Sequence, residues 1–345
     1  MRGRPIISLI VPLFNARDTL ERCVMSLMDQ GLDEESFEII LVNDGSTDGS
    51  DELCRSLSDK FSRIRVLSQP NQGVSMARNL GMRESAGDYL CFVDSDNCLV
   101  HNGLLYLVPY CDGVTDMVRF WCELVDSQSS LLTDRGTGAV TFKGGGHDFL
   151  REYGLETFCW NYLYKRSFLE VNDLFFKPGI LSEDFQFMFD VMIMDPQVVC
   201  VSKVVYLYYI NPGSLSTVRS PARSRKWVND MSGVMLRISA GLDSFKETDL
   251  PLYESCRRSL GEKMVPLFSR ILTSDYSLAE FRSLVASMRS NGLFDFSSGG
   301  RSFKTRMARR VINVLVAFPT LLIPARWLFR FVFMPFIYAR LERYR

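Results

Sequence analysis

The amino-acid sequence predicts an α/β protein with a mixed, mostly parallel sheet flanked by helices and a helical C-terminal extension. Short apolar segments alternate with segments of helical spacing up to about residue 100, and this alternation is typical of parallel sheets. After Asn97 the alternation loosens, and the residues beyond 300 are strongly basic. Hydrophobic residues make up 47% of the 345 positions, so a sizeable core is expected and a disordered chain is excluded.

The first part of the chain predicts four strands and three helices. The first strand is continuous and rich in β-branched residues, as expected for a strand buried on both faces. The predicted strands span residues 6–11, 37–42, 64–67 and 88–93. The predicted helices, with apolar residues three or four positions apart, span 18–29, 50–60 and 73–85. We therefore expect a parallel sheet with helices on both faces.

The middle of the chain predicts further strands and one helix, which Ser182 would cap at its N-terminus. The strands span 117–124, 140–142, 158–164 and 198–209; a polar turn spans 126–138, a break 144–146 and the helix 182–194. Residues from about 220 to 291 have helical spacing. The predicted organisation is a domain over 1–219, a helical region over 220–300 and a basic amphipathic tail over 301–345.

Charge is distributed unevenly although the net charge is zero. Residues 301–345 contain ten Lys or Arg and one acid, which leaves 30 basic and 39 acidic residues of the 40 of each. The neutral total indicates no nucleic-acid partner, whereas the tail suits an anionic surface. Its longest uncharged run, 311–325, is interrupted by Pro319 and Pro324 and is shorter than the roughly 20 residues of a spanning helix. We expect an interfacial segment on the cytoplasmic face of the cell membrane; the alternative is a helical extension that packs on the acidic body.

Cysteine and histidine usage restricts the cofactors. The nine cysteines form no C-x-x-C pair and lie in apolar segments, which indicates reduced thiols in a cytosolic protein. With only two histidines, a His-rich zinc site is nearly excluded, so a metal would take oxygen ligands and would be Mg²⁺ or Mn²⁺. No signal peptide is expected, because the apolar run after the basic N-terminus is short and contains Pro12.

Polar residues follow all four of the first strands, where ligands bind in open α/β sheets. They occupy positions 12–15, 43–49, 69–73 and 94–96. Asp94 and Asp96 are two positions apart, so an extended chain turns both carboxylates to one side, where they can face one hard cation.

The segment from Asp44 to Gly49 has the beginning of a calcium loop, but the twelfth position holds Arg55 instead of Glu. A calcium site is therefore rejected. The alternatives are a turn in which Ser46 or Thr47 caps the next helix, and a carboxylate at Asp44 that accepts the imide N–H of uracil.

Six segments resemble the family 2 inverting glycosyltransferases with the GT-A fold. They read SLIVPLFN at 8–15, VNDGSTD at 42–48, NQGVSMARN at 71–79, GDYLCFVDSD at 87–96, WNYLYKR at 160–166 and SEDF at 182–185. Their order and spacing match the family, and the resemblance covers about residues 6–217. Near Tyr209 the family often has an arginine that this chain lacks, which leaves a diphosphate contact there unsupported.

The resemblance implies a role for each matching residue. Nucleotide-sugar contacts would come from Pro12, Phe14, Asn15, Asp44, Asn71, Arg78, Asp94 and Ser95, the metal ligand would be Asp96, and the catalytic base would be Asp184. Within that set, Asp44 would bind the nucleobase and Arg78 would direct its charge toward the phosphates. Trp160 and Glu183 would border the acceptor, the alternatives being a core aromatic and an ordinary acidic first turn.

The implied activity is inverting transfer of a sugar from a nucleotide-diphosphate sugar, with UDP favoured, to the hydroxyl of a sugar or lipid-linked acceptor in surface polysaccharide or glycolipid synthesis. Asp184 lies in a first helical turn, where N–H groups favour an ionised carboxylate that can take the acceptor's proton. A nucleotidyltransferase is the chemical alternative, but it would need a glycine-rich phosphate loop after the first strand; an oxidoreductase would need G-x-G-x-x-G there. A catalytically inactive nucleotide-sugar-binding protein of the same fold is the third alternative.

Overall fold

The computed structural model describes residues 4–125, 136–210, 220–294 and 303–328. The chain divides into two compact units. The first comprises Met1–Phe149, Thr157–Gly179 and Glu183–Asn211, and the second comprises Leu150–Glu156, Ile180–Ser182 and Pro212–Arg345. The described part of the basic tail thus belongs to the same unit as the helical region before it.

The first unit is built on one sheet, for which the described residues provide nine strands. These are β1 (Ile7–Leu13), β2 (Phe37–Asn43), β3 (Ile64–Ser68), β4 (Tyr89–Phe92), β5 (Cys98–Leu99), β6 (Met117–Val125), β7 (Val140–Gly145), β8 (Tyr162–Lys165) and β9 (Gln197–Tyr209). Their order is β3-β2-β1-β4-β8-β6-β9-β5, and β7 pairs with β9 off this path. Strands β1 to β4 are mutually parallel, whereas β8 runs antiparallel to β4 and β6. The mixed, mostly parallel sheet is confirmed.

Helices cover both faces of the parallel strands. On one face, α1 (Arg17–Met28) and α2 (Ser50–Lys60) share a core with the residues of β1 at odd-numbered positions. On the other face, α3 (Val74–Glu84) approaches β1 and β2 closely at Gly81, where an added Cβ would lie 2.4 Å from a methyl group of Ile10. Since β1 and β2 are buried at every position, the two helical layers leave the strand ends as the accessible part of this sheet region.

The middle of the chain differs from the prediction in four places. The predicted strand over 158–164 is only β8, because the chain from Phe158 to Asn161 is irregular. The predicted break at 144–146 is the end of β7 and the start of a helix, α4 (Gly146–Tyr153). The short helix α5 (Arg166–Val171) was not predicted, and α6 (Glu183–Met192) begins without a cap from Ser182, whose buried hydroxyl has no hydrogen-bond partner among the described residues. Most of the predicted turn over 126–138 lies outside the described residues.

The second unit is helical, as the spacing over 220–291 predicted. Its helices are α7 (Pro221–Leu242), α8 (Phe245–Thr248), α9 (Leu250–Thr273), α10 (Leu278–Ser290), α11 (Phe303–Ala317) and α12 (Leu322–Leu328). Side-chain caps begin three of them: Ser220 caps α7, Asp249 caps α9, and Ser277 forms a capping box with Glu280 at α10. Arg326 of α12 donates to the carbonyl oxygen of Tyr276 at 2.9 Å, which fastens the tail to this unit.

Among the described residues, no single helix is long and apolar enough to cross a membrane. The segments Arg310–Ala317 and Pro319–Trp327 reach that length and composition only when taken together, and they are bent by 114° at the break between them.

Candidate active site

The loops that follow β1 and β2 are joined by reciprocal hydrogen bonds. Asn15, which has φ of 50°, donates its backbone N–H to Ser46 Oγ at 2.9 Å and accepts from the N–H of Thr47 through Oδ1 at 2.8 Å. Neither Ser46 nor Thr47 caps α2, so that alternative is wrong. Of the other residues predicted here, Pro12 is buried in β1 and the Phe14 side chain is exposed at the end of the strand. The joined loops form one rim of the site.

The Asp44 carboxylate organises the next loop. Its Oδ1 accepts from Gln69 Nε2 at 2.7 Å and from the N–H of Gln72 at 2.8 Å, and its Oδ2 accepts from the N–H of Gly73 at 2.8 Å. Asp44 is only 3% exposed. The partners of Asp44 all belong to the loop that also carries the exposed Asn71. The contact of Asp44 with a nucleobase stays a prediction.

Arg78 lies at the centre of the site and is buried. Its Nη1 donates to Asp184 Oδ1 at 2.6 Å and to Glu183 Oε1 at 3.2 Å, and its Nη2 donates to Asp94 Oδ1 at 3.0 Å. The three carboxylates raise the pKa of Arg78 well above its ordinary value against the opposing effect of burial. The guanidinium thus connects the end of the fourth strand to the first turn of α6.

A second motif residue fixes the surroundings of Arg78. The Asn79 side chain donates to the carbonyl oxygen of Phe176 at 2.8 Å and accepts from its N–H at 2.9 Å. The Phe176 ring is thereby held 5.0 Å from the guanidinium carbon of Arg78, a cation–π distance. In turn Phe176 stacks on Phe187 of α6, with ring centroids 4.0 Å apart. The guanidinium of Arg78 therefore lies over the ring of Phe176, which Phe187 supports from behind.

The exit of β4 carries Asp94, Ser95 and Asp96, all of intermediate exposure. The N–H of Asp94 donates to the Tyr206 hydroxyl at 3.2 Å, and Arg22 donates to the carbonyl oxygen of Asp96 at 2.8 Å. Burial raises the pKa of Asp94, with Arg78 opposing the shift. Burial and then the charge of Asp94 raise the pKa of Asp96 to about 6.

The Asp96 carboxylate fits a hard cation. Its ionised form is disfavoured by burial and by Asp94, and a cation beside it would relieve both effects. Among the described residues, no group of three or more His, Cys, Asp and Glu side chains is arranged to hold a metal ion. The protein would then provide one or two carboxylates, while water and phosphate oxygens complete the coordination, as is usual for Mg²⁺.

The predicted base, Asp184, lies at the start of α6 beside Glu183. In addition to Arg78, the Cys159 thiol donates to Asp184 Oδ1 at 3.3 Å. Burial, and then the charge of Asp184, raise the pKa of Glu183 to about 7 against the pull of Arg78. One fifth of the Asp184 side chain is exposed (20%), while its partners hold its position.

Trp160 is nearly buried, with 4% of its surface exposed. It stacks on Tyr206, with ring centroids 4.5 Å apart, and Phe158 lies against it at 5.0 Å. The structure therefore places three predicted groups together in the first unit: the β4 exit, the acidic turn of α6 and Trp160.

Four residues of the site were not predicted from the sequence. They are Asn79, Cys159, Phe176 and Tyr206. Asn79 and Cys159 are each adjacent in the sequence to a predicted residue, and this adjacency is the feature by which they could have been predicted. Phe176 and Tyr206 are remote in the sequence from what they support, and no local pattern marks them.

The family model described as glycosyl transferase family 2 matches residues 8–141, which include the first three exit loops and the β4 exit. This part of the chain is therefore similar to glycosyl transferase family 2. It is 31% identical over 223 residues to the uncharacterized glycosyltransferase YibD of Escherichia coli, an alignment that covers 61% of this chain and 63% of that protein. The chain thus spans less than two thirds of the length of this relative.

Two solved structures show the same fold. TarS 1–349 of S. aureus, in complex with UDP-GlcNAc, has a TM-score of 0.60 and a sequence identity of 18%. The match covers 83% of this chain and 80% of the TarS chain. The mannosyltransferase PcManGT of Pyrobaculum calidifontis, in complex with GDP-Man and Mn²⁺, has a TM-score of 0.55 and a sequence identity of 14%. The match covers 93% of this chain and 88% of the PcManGT chain. The fold of this chain is therefore of the GT-A type.

Proposed function

We propose that this protein transfers a sugar from a nucleotide-diphosphate sugar, with UDP as the favoured nucleotide, to an acceptor hydroxyl with inversion at the anomeric carbon. The observation that carries the proposal is the convergence of Asp94, Glu183 and Asp184 on the buried Arg78 beside the β4 exit. TarS and PcManGT, which share the fold, were solved with UDP-GlcNAc and with GDP-Man and Mn²⁺.

In this proposal Asp184 is the general base. A base must come within hydrogen-bond reach of the proton that it removes, and the partial exposure of the Asp184 side chain is compatible with that approach. Arg78 and the Cys159 thiol both donate to Oδ1, so Oδ2 is the oxygen left to accept the acceptor's proton. Attack from the side opposite the diphosphate inverts the anomeric centre.

Asp96, with Asp94 beside it, would hold Mg²⁺ or Mn²⁺. When bound, such a cation stabilises the negative charge of the departing diphosphate. The loop ordered by Asp44 and the rim formed by Asn15 would receive the nucleoside.

A donor screen tests this proposal. The full chain is incubated with UDP-glucose, UDP-GlcNAc, UDP-galactose or GDP-mannose, with Mn²⁺ or with EDTA, and release of the nucleotide and Tm are measured. We expect at least one UDP-sugar to raise Tm and, with water in place of the acceptor hydroxyl, to be hydrolysed slowly to UDP and free sugar only with Mn²⁺. If no nucleotide sugar changes Tm or is turned over in either condition, the proposal is wrong; binding without turnover would instead support the inactive sugar-binding alternative.

We also propose that the tail binds an anionic membrane surface, which would place the enzyme on the cytoplasmic face of the cell membrane beside a lipid-linked acceptor. The described tail exposes apolar side chains around its bend: Val311, Val314, Phe318, Leu321, Ile323 and Trp327. An apolar cavity of about 380 Å³ lies between α11 and α12. The ten basic residues beyond position 300 complement anionic headgroups. This positive charge is the reason to propose an anionic membrane surface as the partner of the exposed apolar residues.

Vesicle flotation tests the membrane proposal. We expect the full chain to float with vesicles that contain phosphatidylglycerol and not with pure phosphatidylcholine, and Trp327→Ser with Phe318→Ser to weaken flotation at least about threefold because apolar insertion is lost. Leu250→Ser is the control, since Leu250 is also half exposed in the second unit but lies outside the tail. Equal flotation of all variants, or none with anionic vesicles, would contradict the proposal.

A further inference from the structure

The segment from Phe158 to Trp160 forms the outer part of an aromatic stack. Phe158 is 53% exposed and lies 5.0 Å from the Trp160 ring at an interplanar angle of 31°. Trp160, itself buried, stacks on Tyr206 at 4.5 Å and lies 5.6 Å from Tyr208. Only the outermost ring of this stack is half open to solvent, and the rings behind it limit its motion.

This stack and Cys159, which lies between two of its residues in the sequence, together contact both catalytic parts of the site. Cys159, the residue between Phe158 and Trp160, contacts Asp184 at 3.3 Å. At the inner end, the Tyr206 hydroxyl accepts from the N–H of Asp94 at 3.2 Å and from the Asn97 side chain at 3.1 Å. The exposed ring is therefore attached to the residue that contacts the predicted base.

An exposed aromatic ring that is next in sequence to a residue in contact with a carboxylate suits one class of ligand. A pyranose ring has a face of C–H groups that packs on an aromatic ring and hydroxyl groups at its edge that bond to carboxylates. A hydrocarbon that extended from this ring to Asp184 would remove water from the carboxylate without replacing its hydrogen bonds, which is unfavourable. A platform that is already held in place also loses little side-chain entropy on binding.

We infer that Phe158 is the platform on which the sugar ring of the acceptor stacks, and that the buried Trp160 supports this platform instead of contacting the sugar. The inference rests on the proposed transfer reaction and deepens it, because it assigns the acceptor to the pyranosides. The acceptor hydroxyl then reaches Asp184 at Oδ2, the oxygen to which neither Arg78 nor Cys159 donates.

Saturation-transfer NMR tests this inference with three probes: methyl β-D-glucopyranoside, methyl β-D-galactopyranoside and methyl N-acetyl-β-D-glucosaminide. Each is added to the full chain with UDP and Mn²⁺. We expect the ring protons of at least one probe to receive saturation from the wild type, Phe158→Ala to reduce this signal at least about fivefold, and Phe158→Trp to retain it. Leu105→Ala, a half-exposed apolar residue of the first unit outside the site, is the control and should not change the signal.

Two results would overturn the inference while leaving the proposed reaction intact. One is an unchanged probe signal in Phe158→Ala, and the other is UDP binding and UDP-sugar turnover by the wild type with no contact from any probe. Failure of UDP to bind in both the wild type and the Leu105→Ala control would overturn the proposed reaction together with the inference.

Discussion

Arg78 Nη1 lies 2.6 Å from Asp184 Oδ1, although 106 residues separate the two in the sequence. The same guanidinium holds Asp94 at 3.0 Å through Nη2. A buried cation thus fixes the predicted base relative to the β4 exit, where the resemblance placed the sugar nucleotide. In this structure Arg78 is engaged by carboxylates, so we expect it to position Asp184, whereas the sequence resemblance directed its charge toward the phosphates.

Replacement of Arg78 by Lys separates these two roles. An ammonium group lacks the planar fork that reaches three carboxylates, so Asp184 loses its fixed position. We expect kcat to fall about 100-fold while KM for the nucleotide sugar changes less than about threefold. Steady-state kinetics with the donor from the screen measure both, and Arg83→Lys on the exposed side of α3 is the control. A raised KM for the donor with unchanged kcat would contradict the positioning role and would indicate that Arg78 binds the phosphates of the donor.

The contact between Cys159 and Asp184 predicts a graded effect on turnover. Cys159→Ser keeps a donor toward Oδ1 and should retain most of kcat, whereas Cys159→Ala removes it and should lower kcat about fivefold, equivalent to about 1 kcal/mol. Cys54→Ala, another buried thiol in the first unit, controls for loss of packing. Equal kcat for the Ser and Ala variants would show that the thiol does not position the base.

The Asp44 carboxylate predicts a loss of both stability and nucleotide affinity on change to Asn. An amide has one accepting oxygen, so at least one of the loop donors from Gln69, Gln72 and Gly73 loses its partner at a cost of about 1–3 kcal/mol. We expect a lower Tm and weaker UDP binding by calorimetry. The exposed Asp59→Asn in α2 should change neither. Wild-type Tm and affinity in the Asp44 variant would refute a loop-ordering role.

Glu183 predicts a pH-dependent difference in stability. Its pKa is raised from 4.5 to about 7, so folding favours the protonated form, and the stability that protonation provides is lost as pH rises between these values. Glu183→Gln removes this loss. We expect the Tm of the variant minus that of the wild type to increase from pH 4.5 to about pH 8, by an amount equivalent to at most about 3 kcal/mol. A difference that is constant with pH, or that falls, would contradict the assigned shift.

The strongly periodic elements could be predicted from the sequence. The predicted helix over 50–60 coincides with α2, and the first four strands were found within two residues at each end. Two-residue β5 is too short to produce a pattern, and the glycines at 144–146 indicated a break although Gly146 begins a helix. The irregular chain at Phe158 resembled a strand because its aromatic residues belong to a stack that involves the distant Tyr206. The antiparallel insertion of β8 beside β4 depends on pairing that no local segment records.

For the site, the sequence located the acidic residues because strand exits and helix starts have local signatures. It did not indicate that Arg78 would join them, since ion pairs between remote residues leave no pattern in one sequence. The order of the loop around Asp44 was missed for the same reason: its donors are mostly backbone N–H groups, which every residue but proline has.

The central claim is that Asp184 removes the proton of the acceptor hydroxyl, and Asp184→Asn tests it most directly. The variant is compared with Asp190→Asn, which changes a carboxylate on the same helix that accepts a hydrogen bond from Gln186 Nε2. Nucleotide-sugar binding is measured by calorimetry and turnover by release of UDP. We expect Asp184→Asn to bind the donor as the wild type does and to lose at least about 1000-fold in kcat, with Asp190→Asn nearly unaffected. Turnover by Asp184→Asn at a rate close to that of the wild type would contradict the account.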